Sequence, residues 1–250
     1  MSPARLIQIT DTHLGGPDAT QAARWAQQLR DVHTAAAPRP GDLLLATGDI
    51  AEDGSAAAYR QFRALTDPPC PVVVLPGNHD DPAVLASTLG AWPAARLGDD
   101  HHFGGWRLLS LNSHLPGRIE GRLGAERLAR LQTMLAAEPA TPTALAVHHP
   151  PLPLGADWID QTRLEDGPVL LQLLQRHPQV RLVLCGHVHQ ARRQRLADLT
   201  VLTTPATSRQ FAVASDTFAL DPQQGPGWRE VHLYPDGHWQ SVVHRLPAAA

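Results

Sequence analysis

Leu182-Val183-Leu184-Cys185-Gly186-His187-Val188-His189 is a run of four apolar residues, broken by a glycine and followed by two imidazoles. An apolar run of that length bounded by Gly or Pro reads as a strand buried on both faces. The same arrangement occurs four more times. Leu6-Ile7-Gln8-Ile9 leads into Thr10-Asp11-Thr12-His13, and Leu43-Leu44-Leu45-Ala46 into Thr47-Gly48-Asp49. Val72-Val73-Val74-Leu75 leads into Pro76-Gly77-Asn78-His79-Asp80, and Ala144-Leu145-Ala146-Val147 into His148-His149-Pro150.

Helical patterns separate these strands. Residues 20–36 are rich in Ala and Gln, and Ser55 is placed to cap a helix over 55–65. Leu128, Leu131 and Leu135 give 123–137 an apolar stripe, and the pattern returns over 164–176 before Pro178. Strand alternating with helix predicts an α/β domain with a largely parallel sheet. The last fifty residues change character. Leu199-Thr200-Val201-Leu202, Thr217-Phe218-Ala219-Leu220, Trp228 to Tyr234 and Trp239 to Arg245 read as antiparallel strands, with turns at Asp221-Pro222 and Asp236-Gly237. The strands of 199–246 are therefore expected to complete a second sheet within one domain spanning 1–250. Ala248-Ala249-Ala250 reads as a frayed end.

Composition removes several functional classes. The chain has 250 residues, of which 43% are hydrophobic. A chain of this size can bury about three quarters of its unfolded surface, which argues against disorder. Its 21 basic residues are all Arg and face 24 acidic ones, for a net charge of −3. Such a balance offers no field for a nucleic-acid polymer. No apolar stretch approaches the ~18 residues of a membrane span. The opening residues carry no charged-then-apolar leader, and two cysteines make no disulfide framework. A cytoplasmic monomer or homodimer is the expectation. The informative excess is histidine, with fourteen against two Tyr and four Phe.

In α/β sheets the loops at the carboxyl ends of strands converge and collect ligands. Five such ends here deliver Asp11 and His13, Asp49, Asn78 and His79, His148 and His149, and His187 and His189. Carboxylates and neutral imidazoles gathered in one place need a cation to offset repulsion and desolvation. Asp11 and His13, like His187 and His189, are two apart, so an extended strand end would point both the same way. Gly48, Gly77 and Gly186 each precede one of these residues, where the chain must turn sharply. A lone Asp-x-His or His-x-His is ordinary surface decoration. Five in order, each following an apolar strand, point to a metal centre.

The ordered set Asp11-x-His13, Gly48-Asp49, Gly77-Asn78-His79-Asp80, His148 and Gly186-His187-x-His189 resembles the calcineurin-like metallophosphoesterase superfamily. Further stretches are similar to bacterial class III 3′,5′-cyclic AMP phosphodiesterases. They are Gln8 to Leu14, Trp158-Ile159-Asp160-Gln161, Leu184 to Gln190, Gln210-Phe211, Gly227-Trp228-Arg229 and His244-Arg245-Leu246. The resemblance implies a four-layer αββα sandwich, two packed mixed sheets flanked by helices. It implies that Asp11, His13, Asp49 and His189 hold one metal and that Asp49, Asn78, His148 and His187 hold a second. Asp49 would bridge, each carboxylate oxygen taking one ion.

The implied ions are iron and manganese, with zinc or cobalt as alternatives that N/O donors also suit. Two divalent ions, two carboxylates and a bridging hydroxide leave one net positive charge, which complements a phosphodiester. The implied reaction is hydrolysis of 3′,5′-cyclic AMP to 5′-AMP by attack of that hydroxide. His79 is the expected catalytic acid at the leaving 3′ oxygen. Asp80 either orients His79 or caps a helix starting near Pro82. Asn78, His79, His149 and His189 are the expected substrate contacts.

Several positions stay open. Neighbouring strand residues point to opposite faces, so only one of His148 and His149 is a direct ligand. The resemblance favours His148, leaving His149 to line the site or to support a ligand. Pro150 stands where similar proteins carry a third His, and Asn112 where an Asp is usual. The loop of Trp158, Asp160 and Arg163 either folds over a nucleobase or packs for its own sake. Thr207 to Gln210 are candidate nucleotide contacts, and His114 is the remaining histidine of interest. Cys70 and Cys185 read as small buried hydrophobes. The alternatives are another phosphodiester, such as a 2′,3′-cyclic nucleotide or a nucleotide-linked lipid precursor, and a non-catalytic scaffold. Against the scaffold, no ligand position is missing. Against protein phosphatases, the chain reads Gly48-Asp49-Ile50-Ala51-Glu52-Asp53-Gly54 where they resemble Gly-Asp-x-x-Asp-Arg-Gly.

Overall fold

The computed structural model describes residues 2–248. Met1, Ala249 and Ala250 lie outside them, and with the last two most of the expected frayed end. In chain order the elements begin β1 (Ala4–Ile9), α1 (Ala19–Ala36), β2 (Leu43–Thr47), α2 (Ala56–Leu65), β3 (Val72–Leu75) and α3 (Pro82–Leu89). Next come β4 (Ala95–Arg96), β5 (Asp100–Phe103), β6 (Trp106–Leu111), α4 (Gly124–Ala137), β7 (Thr143–Val147) and α5 (Asp157–Asp160). The chain ends with α6 (Gly167–Leu174), β8 (Val180–Cys185), β9 (Arg192–Leu196), β10 (Leu199–Thr203), β11 (Gly227–Leu233) and β12 (Trp239–Arg245).

Two six-stranded mixed sheets result. One has the order β12-β11-β1-β2-β3-β4 and the other β5-β6-β7-β8-β10-β9. Strands β1 to β4 run parallel, as do β6, β7, β8 and β10, while β11, β12, β5 and β9 join antiparallel. Three apolar layers explain the stacking. Ala26, Leu29, Phe62 and Leu85 of the first three helices pack on Ile7, Ile9 and Leu44. Leu131, Leu135, Leu170 and Leu174 of α4 and α6 cover Leu145 and Val183 of the second sheet. Between the sheets lie Leu6, Leu45 and Val73 against Leu108, Ala146 and Leu184. Strands apolar on both faces thus serve a helix layer on one side and the partner sheet on the other, which is the αββα sandwich.

The C-terminal strands depart from the expectation that 199–246 complete the second sheet. Only β10 joins it, parallel to β8. Strands β11 and β12 cross to the first sheet, where β11 pairs antiparallel with β1 from Ala4↔Leu233 to Gln8↔Arg229. The physical reason is that β1, paired with β2 on one side, would otherwise present an unpaired edge of a buried strand on the other. Residues 217–220 form no strand beyond an isolated bridge from Leu220 to Phe211, and Phe218 is exposed. The helix expected over 164–176 is shortened to α6, because Leu164 is taken up by a bridge to Gly121. No helix among the described residues is long and apolar enough to cross a membrane.

Candidate metal centre

The carboxyl ends of β1, β2, β3, β7 and β8 meet at one place. Just beneath it, Gln8 Nε2 donates to Thr47 Oγ1 at 3.0 Å and to Cys185 O at 3.1 Å, tying the sheets together. Beyond β1 the chain runs beside the segment after β2. Asp11 N–H donates to Gly48 O, His13 N–H to Asp49 O and Leu14 N–H to Ile50 O. Asp11, His13, Asp49, His187 and His189 all lie in the left-handed region, with φ between 49° and 69°. The two-apart pairs therefore converge through left-handed backbone, not through the extended geometry expected of them. Such conformations are costly for non-glycine residues and concentrate at functional sites. At Gly48 (φ 95°) a Cβ would sit 2.5 Å from His148 Nδ1, so only glycine fits there.

The donor atoms form two sets. His13 Nε2 lies 3.2 Å from His189 Nε2, which is 3.3 Å from Asp11 Oδ1. His148 Nε2 and His187 Nδ1 lie 3.2 and 3.0 Å from Asn78 Oδ1. Asp49 Oδ2 stands between the sets, 3.3 Å from His148 Nε2 and 3.8 Å from His13 Nε2. Its other oxygen accepts from His79 N–H at 2.9 Å. A single Asp49 oxygen thus faces both sets, a correction to the expectation that each oxygen takes one ion. All of these residues are buried except Asn78, which is half-buried.

Hydrogen bonding on the far side of each ring tests whether ions fit. His189 Nδ1–H donates to Arg209 O at 2.8 Å, and His13 Nδ1 is held by Glu52 Oε2 at 2.5 Å. In neutral rings this leaves two Nε2 lone pairs facing each other. His187 behaves likewise. Thr162 Oγ1 donates to Ile159 O and so accepts from His187 Nε2–H, leaving the Nδ1 lone pair opposite the Asn78 carbonyl. Lone pairs opposed at 3.0–3.3 Å repel unless a cation lies between them. Metal bonds of about 2.1 Å place neighbouring ligand atoms about 3.0–3.4 Å apart. The donors fit two ions.

The electrostatics agree. Burial pushes His187 down to about 3 and holds His13 and His149 below the usual imidazole range, so these rings are neutral. Burial also lowers His148, but the charge and hydrogen bond of Asp49 outweigh it and push His148 up to about 9. Burial raises Asp49, yet His148 beside it holds Asp49 well below the carboxylate range. The carboxylates draw positive charge into a buried site, which is what a bound cation supplies.

His79 is half-buried. Its Nδ1–H donates to Glu52 O at 3.0 Å, and its ring stands edge-on to His13 at 4.8 Å. Nε2 is left without a partner among the described residues. Neither role expected for Asp80 holds. It is buried and accepts from Gly77, Ile50 and Ala51 N–H at 2.8–3.2 Å and from Tyr59 O–H at 3.1 Å. Burial and the nearby charge of Asp49 push its carboxyl up to about 6. The helix cap is Asp81, which accepts from Ala83 and Val84 N–H.

His149 is buried with both nitrogens satisfied, Nδ1 by Ser113 Oγ at 2.8 Å and Nε2 by Ile119 O at 2.9 Å. Its ring packs against those of His148 and His187 at 4.8 and 4.6 Å, behind the second donor set. Ser208 Oγ donates to Asp11 O, and Gln210 bonds Ala206 and Arg245, so both act within the fold. Trp158 packs edge-on to Phe211 and Phe218 at 5.5 Å, and Phe211 stacks flat on His189 at 4.0 Å. The loop's contribution to the centre is Thr162. The sequence reading missed Glu52, although its place three residues after Asp49 marks it. It also missed Thr162, for which no local signal exists.

A family model described as calcineurin-like phosphoesterase matches residues 4–191. A probable cyclic nucleotide phosphodiesterase of Synechococcus sp. is 38% identical, over 96% of this chain and 91% of its own. The 3′,5′-cyclic adenosine monophosphate phosphodiesterase of Escherichia coli is 37% identical, over 97% of this chain and 90% of its own. Among solved structures, a dimetal phosphatase from Danio rerio superposes with a TM-score of 0.72 at 16% identity. It covers 100% of this chain and 98% of that one, a likeness of fold. Motif order, sandwich and donor geometry agree with that match, and the chain belongs to the calcineurin-like phosphoesterase family.

Proposed function

We propose that this chain is a dinuclear metal-dependent phosphodiesterase that hydrolyses 3′,5′-cyclic AMP to 5′-AMP. It would work in the cytoplasm as a monomer or homodimer, with iron and manganese as the ions. The observation that carries the reading is the facing of lone pairs across two donor sets that share one Asp49 oxygen. The near full-length similarity to proteins named as cyclic nucleotide phosphodiesterases supports the substrate. Asp11, His13, Asp49 and His189 would hold one ion, and Asp49, Asn78, His148 and His187 the other. The pair would supply Lewis-acid polarisation of the phosphoryl oxygens and a nucleophile of lowered pKa at neutral pH.

The protein's own groups do the rest. Glu52, Arg209 O, Thr47 O and Thr162 fix the four imidazole ligands through their outer nitrogens. This is how ligand orientation and basicity are usually set. His79 is held at Nδ1, so Nε2 is the atom that can deliver a proton to the leaving 3′ oxygen. The test is turnover by protein loaded with iron or manganese, offered cyclic AMP, cyclic GMP and a 2′,3′-cyclic nucleotide. Cyclic AMP should be opened to 5′-AMP. Two bound ions per chain with cyclic AMP left intact would overturn the proposal.

A further inference from the structure

A cavity of about 620 Å³ opens beside the metal centre, with Asn78 and His79 on one side and Asn112, His114 and Arg127 on the other. Its volume is within the range of about 300–1,000 Å³ typical of small-molecule sites. The second wall is built by two elements that supply no metal donor. Asn112 immediately follows β6, a sixth strand whose carboxyl end reaches this rim, and Arg127 stands in the first turn of α4.

The groups of that wall are free to bind. Asn112 Oδ1 accepts from His114 N–H at 2.9 Å, and its amide hydrogens have no partner among the described residues. Arg127 donates once, to Leu123 O at 3.1 Å, and no carboxylate lies within 4 Å of it among the described residues. The His114 ring nitrogens are likewise unpaired there, and burial lowers this group's pKa, favouring the neutral ring.

Stereochemistry says what enters. In an in-line displacement the leaving oxygen lies opposite the nucleophile, at the proton donor His79. In a 3′,5′-cyclic nucleotide that oxygen belongs to the ribose, so the nucleoside must project past His79 into the cavity His79 lines. The aromatic pair of half-buried Trp158 and exposed Phe218 is not part of that cavity's lining. We infer that Asn112, His114 and Arg127 form a nucleoside subsite that selects purines, through donation from Arg127 and Asn112 to the purine N7 edge. Guanidinium and carboxamide groups are the usual readers of that edge, which pyrimidines lack. The inference rests on the cyclic-nucleotide reading above and deepens it.

The test is calorimetric binding of 5′-AMP, 5′-UMP and inorganic phosphate to metal-loaded wild type, R127A, N112A and W158A. Wild type is expected to bind 5′-AMP at least ~10-fold more tightly than phosphate and ~5-fold more tightly than 5′-UMP. R127A and N112A should each shrink the 5′-AMP margin over phosphate by ~3–10-fold, the worth of one or two hydrogen bonds. A wild type that binds phosphate as tightly as 5′-AMP would overturn the subsite even if cyclic AMP is hydrolysed. So would a margin lost in W158A and kept in R127A and N112A, which would place the base on the aromatic cluster. Failure of the cyclic AMP reaction with the 5′-AMP margin intact would instead count against the proposed function alone.

Discussion

Glu52 Oε2 lies 2.5 Å from His13 Nδ1, and this contact decides which nitrogen of His13 faces the centre. Burial raises the Glu52 carboxyl, but the hydrogen bond to His13, together with the electrostatic pull of His13, His79 and Arg209, holds Glu52 below its ordinary value. Glu52→Ala frees the ring to turn and removes the negative charge that strengthens it as a donor. Loss of such a partner typically costs ~10–100-fold in metal affinity. That loss is expected at the ion that Asp11, His13 and His189 would hold, read by competition with a chelator. Wild-type affinity in the variant would mean that packing alone fixes His13.

Asn78→Ala and His79→Ala separate two roles that adjacent residues carry. Asn78 Oδ1 is shared between His148 and His187, whereas His79 offers no atom to either donor set. Asn78→Ala should lower bound metal towards one equivalent, and turnover should fall with it. His79→Ala should retain two equivalents yet slow turnover by ~10²–10⁴-fold, the usual range for a lost acid. Equal metal loss in both variants would contradict this division.

Asp80 gathers three backbone donors from two loops and the Tyr59 hydroxyl, all buried. Asp80→Ala strands those N–H groups away from water, at about 1–3 kcal/mol for each buried group left unpaired. A loss above ~3 kcal/mol is expected in urea unfolding. Tyr59→Phe removes one donor to Asp80 and the acceptor of Asp81 N–H, and should cost only ~2 kcal/mol. If the two variants unfold alike, the backbone donors have found another partner.

The reach of the sequence varies from residue to residue. Strands β1, β2, β3, β7 and β8 were legible because each holds a short run of mainly apolar residues, interrupted in Leu6–Ile9 of β1 by Gln8 alone, ending in a glycine or a cluster of donors. The residues of the two donor sets were legible for the same reason, since they stand at the first turn after each run. Strands β4 and β9 were not, because Ala95-Arg96 and Arg192 to Leu196 carry no buried run, and an edge strand needs none. The sheet chosen by β11 depends on β1 lacking a neighbour, a fact about distant residues. The left-handed backbone at Asp11 and His187 was equally hidden. It arises from the loops lying side by side, and no local preference of Asp or His requires it.

Far from the metal centre, Arg5 and Asp42 join β1 to the entry of β2, and here pH provides the test. Asp42 Oδ2 accepts from Arg5 Nε at 3.1 Å, Arg5 Nη2 at 2.5 Å and Arg39 N–H at 2.7 Å. Arg5 also donates to Ala36 O and Ala37 O, the end of α1, and to Glu230 on β11. Burial raises the Asp42 carboxyl, but the Arg5 and Arg39 N–H hydrogen bonds together with the two guanidinium charges hold it below its ordinary value. A carboxyl depressed in the folded state contributes stability that is fully present above its unfolded pKa, near 4. That contribution is lost as pH falls through the folded value, because the unfolded chain takes up the proton first. Asp42→Asn should therefore lower stability by ~1–3 kcal/mol at pH 7, the range for a hydrogen bond to a charged group. The gap from wild type should persist down to about pH 4 and close below it. The measurement is urea unfolding of both proteins from pH 7 to pH 3, and a gap that does not change with pH would show that the Asp42 charge contributes nothing to the joint.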